Sequence, residues 1–249
     1  LVYGGKPLQV TAIFKKKGQY YLGTQYSLFS YNAVTHQVSL LPNTDKDTVM
    51  RNLIESRIVA MVEDSIDGRP VLLTSPYGHY LAYYDWQKAQ WVSRLHPKNM
   101  VQALNLKDNL IRTIYRTKSG HIWMATAKQG LMQWPQGARL QARFFTHQPN
   151  NAGSINNNNV YDITEDDKGN LWISTYGGGL HYFDVATETF RHISASNNLV
   201  EGVQIDAYQN VWMINNGQVS RYDPRRNLYS TYRLPDVEKT GGVSGKIFK

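Results

Sequence analysis

Cysteine is absent from the 249 residues. That removes disulfides, thiolate nucleophiles and cysteine zinc ligands, and it suits an oxidising compartment without requiring one. Also missing are an apolar run long enough to cross a membrane as a helix and a secretory signal pattern. If the parent protein has either, it is expected outside this chain. Sustained helical periodicity with caps is lacking too. The best helical candidate, Asp47 to Ile58 after Asn43-Thr44-Asp45, reads as a short connection between larger units. Acidic residues are few, 19 Asp and Glu against 27 Lys and Arg, for a net charge of +8. This balance invites a nucleic-acid reading. The basic residues are dispersed, however, and the run Lys15-Lys16-Lys17 precedes Gly18 in what reads as a solvated hairpin turn. No nucleic-acid motif is present, so nucleic acid is not expected as a partner.

What the chain does have is a repeat. Its best copy runs from Asn159 to Leu180 and reads as strand, tight turn, strand, glycine-rich turn and the start of a third strand. Trp172, in Gly169-Asn170-Leu171-Trp172-Ile173-Ser174-Thr175, marks the second strand. Its counterparts are Tyr21 after Gly18, Val71 after Gly68, Trp123 after Gly120 and Trp212 after Gln209. These markers are spaced by 50, 52, 49 and 40 residues. A period of roughly 40–50 residues with several short strands in each copy is the signature of β-propeller blades.

Each copy fills out in one order. Around Trp172 the strands are Val160 to Glu165, Leu171 to Thr175, Leu180 to Asp184 and Phe190 to Ile193. Apolar and aromatic residues crowd the strands, while Gly, Asn and Asp punctuate them. In most copies a closing Asp or Asn ends the third strand, as at Asn32, Asp85, Asp184 and Asp223. The fold class is therefore all-β, a propeller of four-stranded antiparallel blades. Five blades are expected at 10–42, 57–97, 109–149, 157–197 and 198–236, in one propeller segment over 1–249. Residues 240–249 read as the first strand of a further blade, and Leu1 to Gly5 as the tail of an earlier one. The chain thus reads as a piece of a longer propeller, with a complete five-bladed ring as the alternative.

The stretch from Asn159 to Asp166, followed by Gly169 to Leu180, resembles the two-component regulator propeller repeat. Phe145 to Ile155 is similar to the linker that leads into such repeats. The third blade fits the pattern fairly, the fifth recognisably and the first two weakly. This resemblance implies the extracytoplasmic, periplasmic sensor region of a membrane-anchored bacterial hybrid histidine kinase, many of which detect oligosaccharides. The chain departs from the pattern at Ser174, at Pro70 to Thr74 and at Asn215-Asn216-Gly217.

Turns joining the second and third strands share one edge of a blade with the inter-blade connections. Propellers commonly bind ligands there. In this chain those turns hold Gln25, Tyr26, Tyr77, His79, Lys128, Gln129, Tyr176, Asn215 and Asn216. Aromatic faces stack on sugar rings, and amides and Lys hydrogen-bond to hydroxyls. An oligosaccharide or small polar ligand, with an anionic one included, is the expected partner. Turn geometry selects Asn, Gly and Tyr as well. Trp123, Trp172 and Trp212 are read as blade-packing residues. The Asn-rich loop from Asn150 to Asn159 is read as a connection whose asparagines bond to their own backbone.

Catalytic and metal signals are thin. Seven histidines are scattered without metal-ligand spacing, and Glu165-Asp166-Asp167 reads as a hairpin turn more than a calcium site. No nucleophile elbow or phosphate loop is present. No catalytic residue, metal or cofactor is assigned. Two alternatives accompany the sensor reading. One is an interaction scaffold or homodimer of the full ectodomain, using Tyr77, Tyr80 and Trp86. The other is a lyase resembling the streptogramin lyases, which rests on His79 alone.

Overall fold

The computed structural model describes residues 1–44, 55–66, 68–93, 106–107, 110–134, 142–194, 196 and 198–232. Most of the candidate helix after Asn43, along with His96 and the further strand expected at 240–249, lies outside them. Ile58, the last residue of that helical candidate, begins a strand.

A hairpin of β1 (Val2–Tyr3) and β2 (Lys6–Pro7) opens the chain, and five four-stranded sheets follow. Leu1 to Gly5, read from sequence as a blade tail, thus close within this hairpin. The first sheet holds β3 (Val10–Lys16), β4 (Gln19–Thr24), β5 (Leu28–Tyr31) and β6 (Val38–Leu40). The second holds β7 (Ile58–Ile66), β8 (Arg69–Pro76), β9 (Ala82–Asp85) and β10 (Gln90–Ser93). The third holds β11 (Ile111–Arg116), β12 (Ile122–Thr126), β13 (Leu131–Gln133) and β14 (Arg143–Phe145). The fourth holds β15 (Val160–Glu165), β16 (Leu171–Thr175), β17 (Gly179–Asp184) and β18 (Thr189–Ile193). The fifth holds β19 (Val200–Ile205), β20 (Val211–Asn215), β21 (Gln218–Asp223) and β22 (Leu228–Tyr232). Strands lie in chain order in every sheet, and among the described residues there is no helix.

Local chemistry sets these elements. The residue three before each marker turns the first hairpin in a left-handed conformation: φ is 80° at Gly18, 72° at Gly68, 92° at Gly120 and 83° at Gly169. Glycine adopts that conformation without a Cβ clash. The closing residues of the third strands build Asx turns. Asp85 Oδ1 accepts from the N–H groups of Gln87 and Lys88, and Asp223 Oδ1 from those of Arg225 and Arg226. Asp184 and Asn32 do the same in their own sheets. A register shift recurs near the start of the first strand in four sheets, between Val10 and Ala12, Ile58 and Ala60, Val160 and Asp162, and Val200 and Gly202. Such bulges bend a strand and re-aim its side chains.

The lysine run departs from the sequence reading. Lys15 and Lys16 belong to β3, and only Lys17 turns, at φ 48°. Lys16 pairs with Glu63, and its ammonium lies 5.2 Å from the Trp86 ring centroid, so it bridges two strands and faces an aromatic ring as a cation.

The chain forms two compact units, one built from residues up to Ile114 and one from Tyr115–Trp134 and Arg143 onward. In the first, Leu28, Ile58, Leu72, Ala82, Tyr84 and Trp91 form a buried cluster against which Tyr21 and Trp86 pack. Trp86, read from sequence as an exposed partner contact, is thus a packing residue, in edge contact with Tyr21 and Tyr84. Burial pushes the Tyr84 hydroxyl up to about 12, with Tyr21 and Asp85 adding to the shift.

The second unit has two clusters. Trp123, Leu131, Ile163, Ile173, Phe183 and Phe190 join the third sheet to the fourth. Trp172, Leu180, Val203, Val211, Met213 and Tyr222 join the fourth to the fifth. Ile173 and Trp172 are neighbours in β16 and face opposite ways, as a strand requires. All five residues of β16 are buried because a sheet covers each face. Alternation in sequence is therefore replaced by the apolar run Leu171 to Ile173, followed by the buried Ser174 and Thr175.

Candidate functional site

The turns after the second strands are tied down before any ligand is considered. In the first unit Gln25 N–H donates to Gln9 O and Tyr77 N–H to Arg57 O. In the second, Tyr176 N–H donates to Asn159 O and Asn216 N–H to Leu199 O. Each acceptor sits one residue before a first strand, so the backbone that enters a sheet anchors its own exposed turn. Threonine hydroxyls close the turns from inside: Thr24 Oγ1 donates to Ser27 O, Thr126 Oγ1 to Gly130 O and Thr175 Oγ1 to Gly179 O. These threonines lie six residues after the hairpin glycine. The spacing is visible in the sequence once the repeat is aligned, although the pattern gives no hint of the bond.

In the first unit Tyr26 and Tyr77 are 49% and 56% exposed, and His79 is half-buried. Gln25 is committed locally, its Oε1 accepting from Gln9 N and its Nε2 donating to Pro7 O. In the second unit Tyr176 is 44% exposed. Lys128 and Asn216 are exposed and Gln129 is half-buried. Asn215 stands where three other sheets carry the closing threonine. It is buried, and its amide donates to the Tyr229 hydroxyl. Of the nine residues read from sequence, Gln25 and Asn215 are therefore bound up in the fold. The three tyrosines, Lys128 and Asn216 face solvent.

The glycines after Tyr176 have a packing cause. Gly177 N–H and Gly179 N–H both donate to Asn198 O. A Cβ on Gly178 would come within 2.9 Å of Asn157 Cβ. The Asn-rich loop lies beneath this turn, and its side chains bond to backbone: Asn157 Oδ1 accepts from Asn159 N, Asn158 Oδ1 from His147 N and Asn151 Oδ1 from Gly153 N. The loop is a built support for the turn.

His181 sits beside the same turn. It is fully buried, faces His192 across β17 and β18 with ring centroids 5.2 Å apart, and accepts at Nε2 from Asn156 N. Burial pushes its pKa down to about 3, with His192 adding to the effect. Burial also lowers His192. Both rings are neutral at neutral pH. At the opposite edge of the sheet, Asp166 Oδ1 accepts from Lys168 N and Asn170 N, and Glu165 Oε2 from Lys118 N. These bonds make the acidic run a turn in structural use. Among the described residues no three His, Asp or Glu side chains converge as a metal site.

Residues 105–128 and 154–177 match the family model of the two component regulator propeller. These segments contain the first two strands of the third and fourth sheets. No curated protein matches the chain. Among solved structures, the chain is similar over its full length to the extracellular domain of a protein described as a one component system of B. thetaiotaomicron. That likeness has a TM-score of 0.72 at 17% identity and covers 31% of the other chain. It is similar over 86% of its length to the extracellular domain of a protein described as a hybrid two component system of the same organism, with a TM-score of 0.65 and 21% identity over 27% of that chain. The chain thus spans less than a third of either structure's length. The fold is an all-β propeller of four-stranded blades, and two of its segments match the two component regulator propeller model.

Proposed function

We propose that this chain is a ligand-sensing segment in the periplasmic region of a membrane-anchored bacterial two-component signalling protein. Its ligand is a glycan-derived or other small polar molecule. The segment recognises and does not catalyse. One observation carries the reading: exposed tyrosines recur on turns whose backbone is fixed by hydrogen bonds to the entering strand. Tyr26, Tyr77 and Tyr176 present aromatic surface on pre-organised supports, which lowers the ordering cost of binding. The repeat family and the likeness to extracellular domains of signalling systems support the same assignment.

A thermal-shift screen of the chain against defined oligosaccharides and acidic sugars, with magnesium and calcium controls, tests it. A ligand that binds only the folded state adds about 2.7 kcal/mol of stability at a hundredfold excess over Kd. A selective sugar is expected to raise Tm, and alanine at the tyrosine of the turn it occupies, tested singly at Tyr26, Tyr77 and Tyr176, to remove the rise without lowering the unliganded Tm. A cooperative melt that no sugar moves would sink the reading. The same exposed tyrosines suit a partner protein surface. Sedimentation of the complete ectodomain, monomeric at high concentration, would reject that second reading.

A further inference from the structure

A cleft of about 340 Å³ opens between the fourth and fifth sheets, within the unit that begins at Tyr115. It lies at the sheet edge opposite the turns that carry Tyr176, because antiparallel strands place alternate turns at opposite edges. Its volume falls at the lower end of the roughly 300–1,000 Å³ of small-molecule pockets.

One wall comes from three positions in register. Trp172 pairs with Tyr182, and Tyr182 with Arg191, so the three side chains share one sheet face. Tyr182 meets Trp172 edge-on at 5.0 Å, and Asn170 Nδ2 donates to its hydroxyl at 2.7 Å. The Arg191 guanidinium lies 5.3 Å from the Tyr182 centroid. Arg191 is exposed, and among the described residues no carboxylate pairs with it. A planar guanidinium held over an aromatic ring with its fork unused is set for a carboxylate.

The opposite wall carries an anomaly. Four sheets place glycine at the left-handed position of the first hairpin, and the fifth places Gln209 there, at φ 62°. That conformation carries a modest cost for any residue with a Cβ, here as at seven other non-glycine positions of the described residues, so the departure lies in the side chain that replaces glycine. The Gln209 side chain lines the cleft and reaches the fourth sheet, its Oε1 accepting from Asp167 N at 3.0 Å. Its carbonyl is thereby occupied. The Nε2 donor has no partner among the described residues. Arg225 stands at the rim, 3.6 Å from Asp223. The exposed Asp167 and Lys168 oppose each other in charge, and Asp166 is committed to its turn.

We propose that this cleft binds a small carboxylate-bearing ligand of sugar-acid size. Its carboxylate pairs with Arg191, Gln209 Nε2 donates to it or to a neighbouring hydroxyl, and its ring lies against the edges of Tyr182 and Trp172. The site is separate from the tyrosine-bearing turns, so either can fail while the other stands.

An NMR titration of the whole chain with galacturonate, galactose and sulfate tests the assignment. Galacturonate is expected to shift the Trp172 indole and Gln209 amide signals. Arg191→Gln is expected to weaken it about tenfold or more. Gln209→Gly, which installs the residue the other sheets use, is expected to weaken it while keeping the turn. Tyr176→Ala is expected to leave it unchanged. The proposal is overturned if galacturonate moves no cleft signal at about 10 mM, or if Arg191→Gln binds as tightly while keeping its Tm. It is equally overturned if galactose or sulfate binds as tightly as galacturonate.

Discussion

Trp172 meets Tyr222 edge-on across the junction of the fourth and fifth sheets, with ring centroids 5.8 Å apart and planes at 62°. Trp123 meets Phe183 in the same way one junction earlier, at 5.5 Å and 71°. In both pairs the marker of one sheet touches the aromatic that precedes the closing Asp of the next. The repeat is thus a device for joining sheets as much as for folding each one. Edge-to-face geometry adds to the burial of two large rings.

Trp172→Ala should cost about 3–5 kcal/mol, the range for truncating a buried aromatic. Trp212→Ala should cost clearly less, because Trp212 is half-buried and stacks on Tyr232 at 5.4 Å. Urea denaturation of both variants, compared at constant m-value, measures the difference.

Gly130 and Gly18 separate two kinds of glycine requirement. Both have positive φ, 78° and 80°. A Cβ on Gly18 would meet nothing within 4 Å, whereas one on Gly130 would lie 2.2 Å from Phe145 O. Gly18→Ala should cost about 1 kcal/mol from backbone strain. Gly130→Ala adds a clash with backbone and should exceed about 3 kcal/mol. Thermal melts rank the two.

Stability should fall with acid through His181. Its pKa is about 3 in the fold against an ordinary 6.5. Between those values the unfolded chain binds a proton that the folded chain does not, so the free energy of unfolding decreases as pH falls. Above pH 6.5 the group has no effect. His192 is lowered as well and acts in the same direction. Denaturation midpoints between pH 7 and pH 4 should drop steeply, and His181→Leu should flatten that slope.

The Asp206 carboxylate gathers four donor groups. It accepts from the N–H groups of Tyr208 and Asn210, from Asn210 Nδ2 and from Trp212 Nε1. Burial raises its pKa, but the bonds from Asn210 and Trp212 outweigh burial and hold the carboxyl below its ordinary value. Asp206→Ala should cost about 2 kcal/mol, and indole fluorescence should report the freed Trp212. Asp206→Asn keeps an acceptor and should recover part of the loss.

Much of the architecture was legible because it rests on local chemistry. Gly18, Gly68, Gly120 and Gly169 announced hairpins, and Asp85, Asp184 and Asp223 announced the turns after third strands. The substitution of Gln209 for glycine was equally readable in the alignment, yet its side chain's reach to Asp167 was not. The lysine run misled because charge alone does not distinguish a turn from a strand whose ammonium groups sit over neighbouring rings. Asn215 and Tyr176 both looked like exposed turn residues. Asn215 is buried and donates to the Tyr229 hydroxyl, fourteen residues on, whereas Tyr176 stays in solvent.

By itself the sequence determined the repeat, the four-strand order of each copy and the positions of the tight turns, since backbone conformation and short-range hydrogen bonds depend on neighbouring residues. Tertiary structure alone decided which turn residues face solvent, that His181 is neutral, and that Arg191 and Gln209 line one cleft. Burial and electrostatics arise from atoms that distant strands bring together, and no local pattern encodes them.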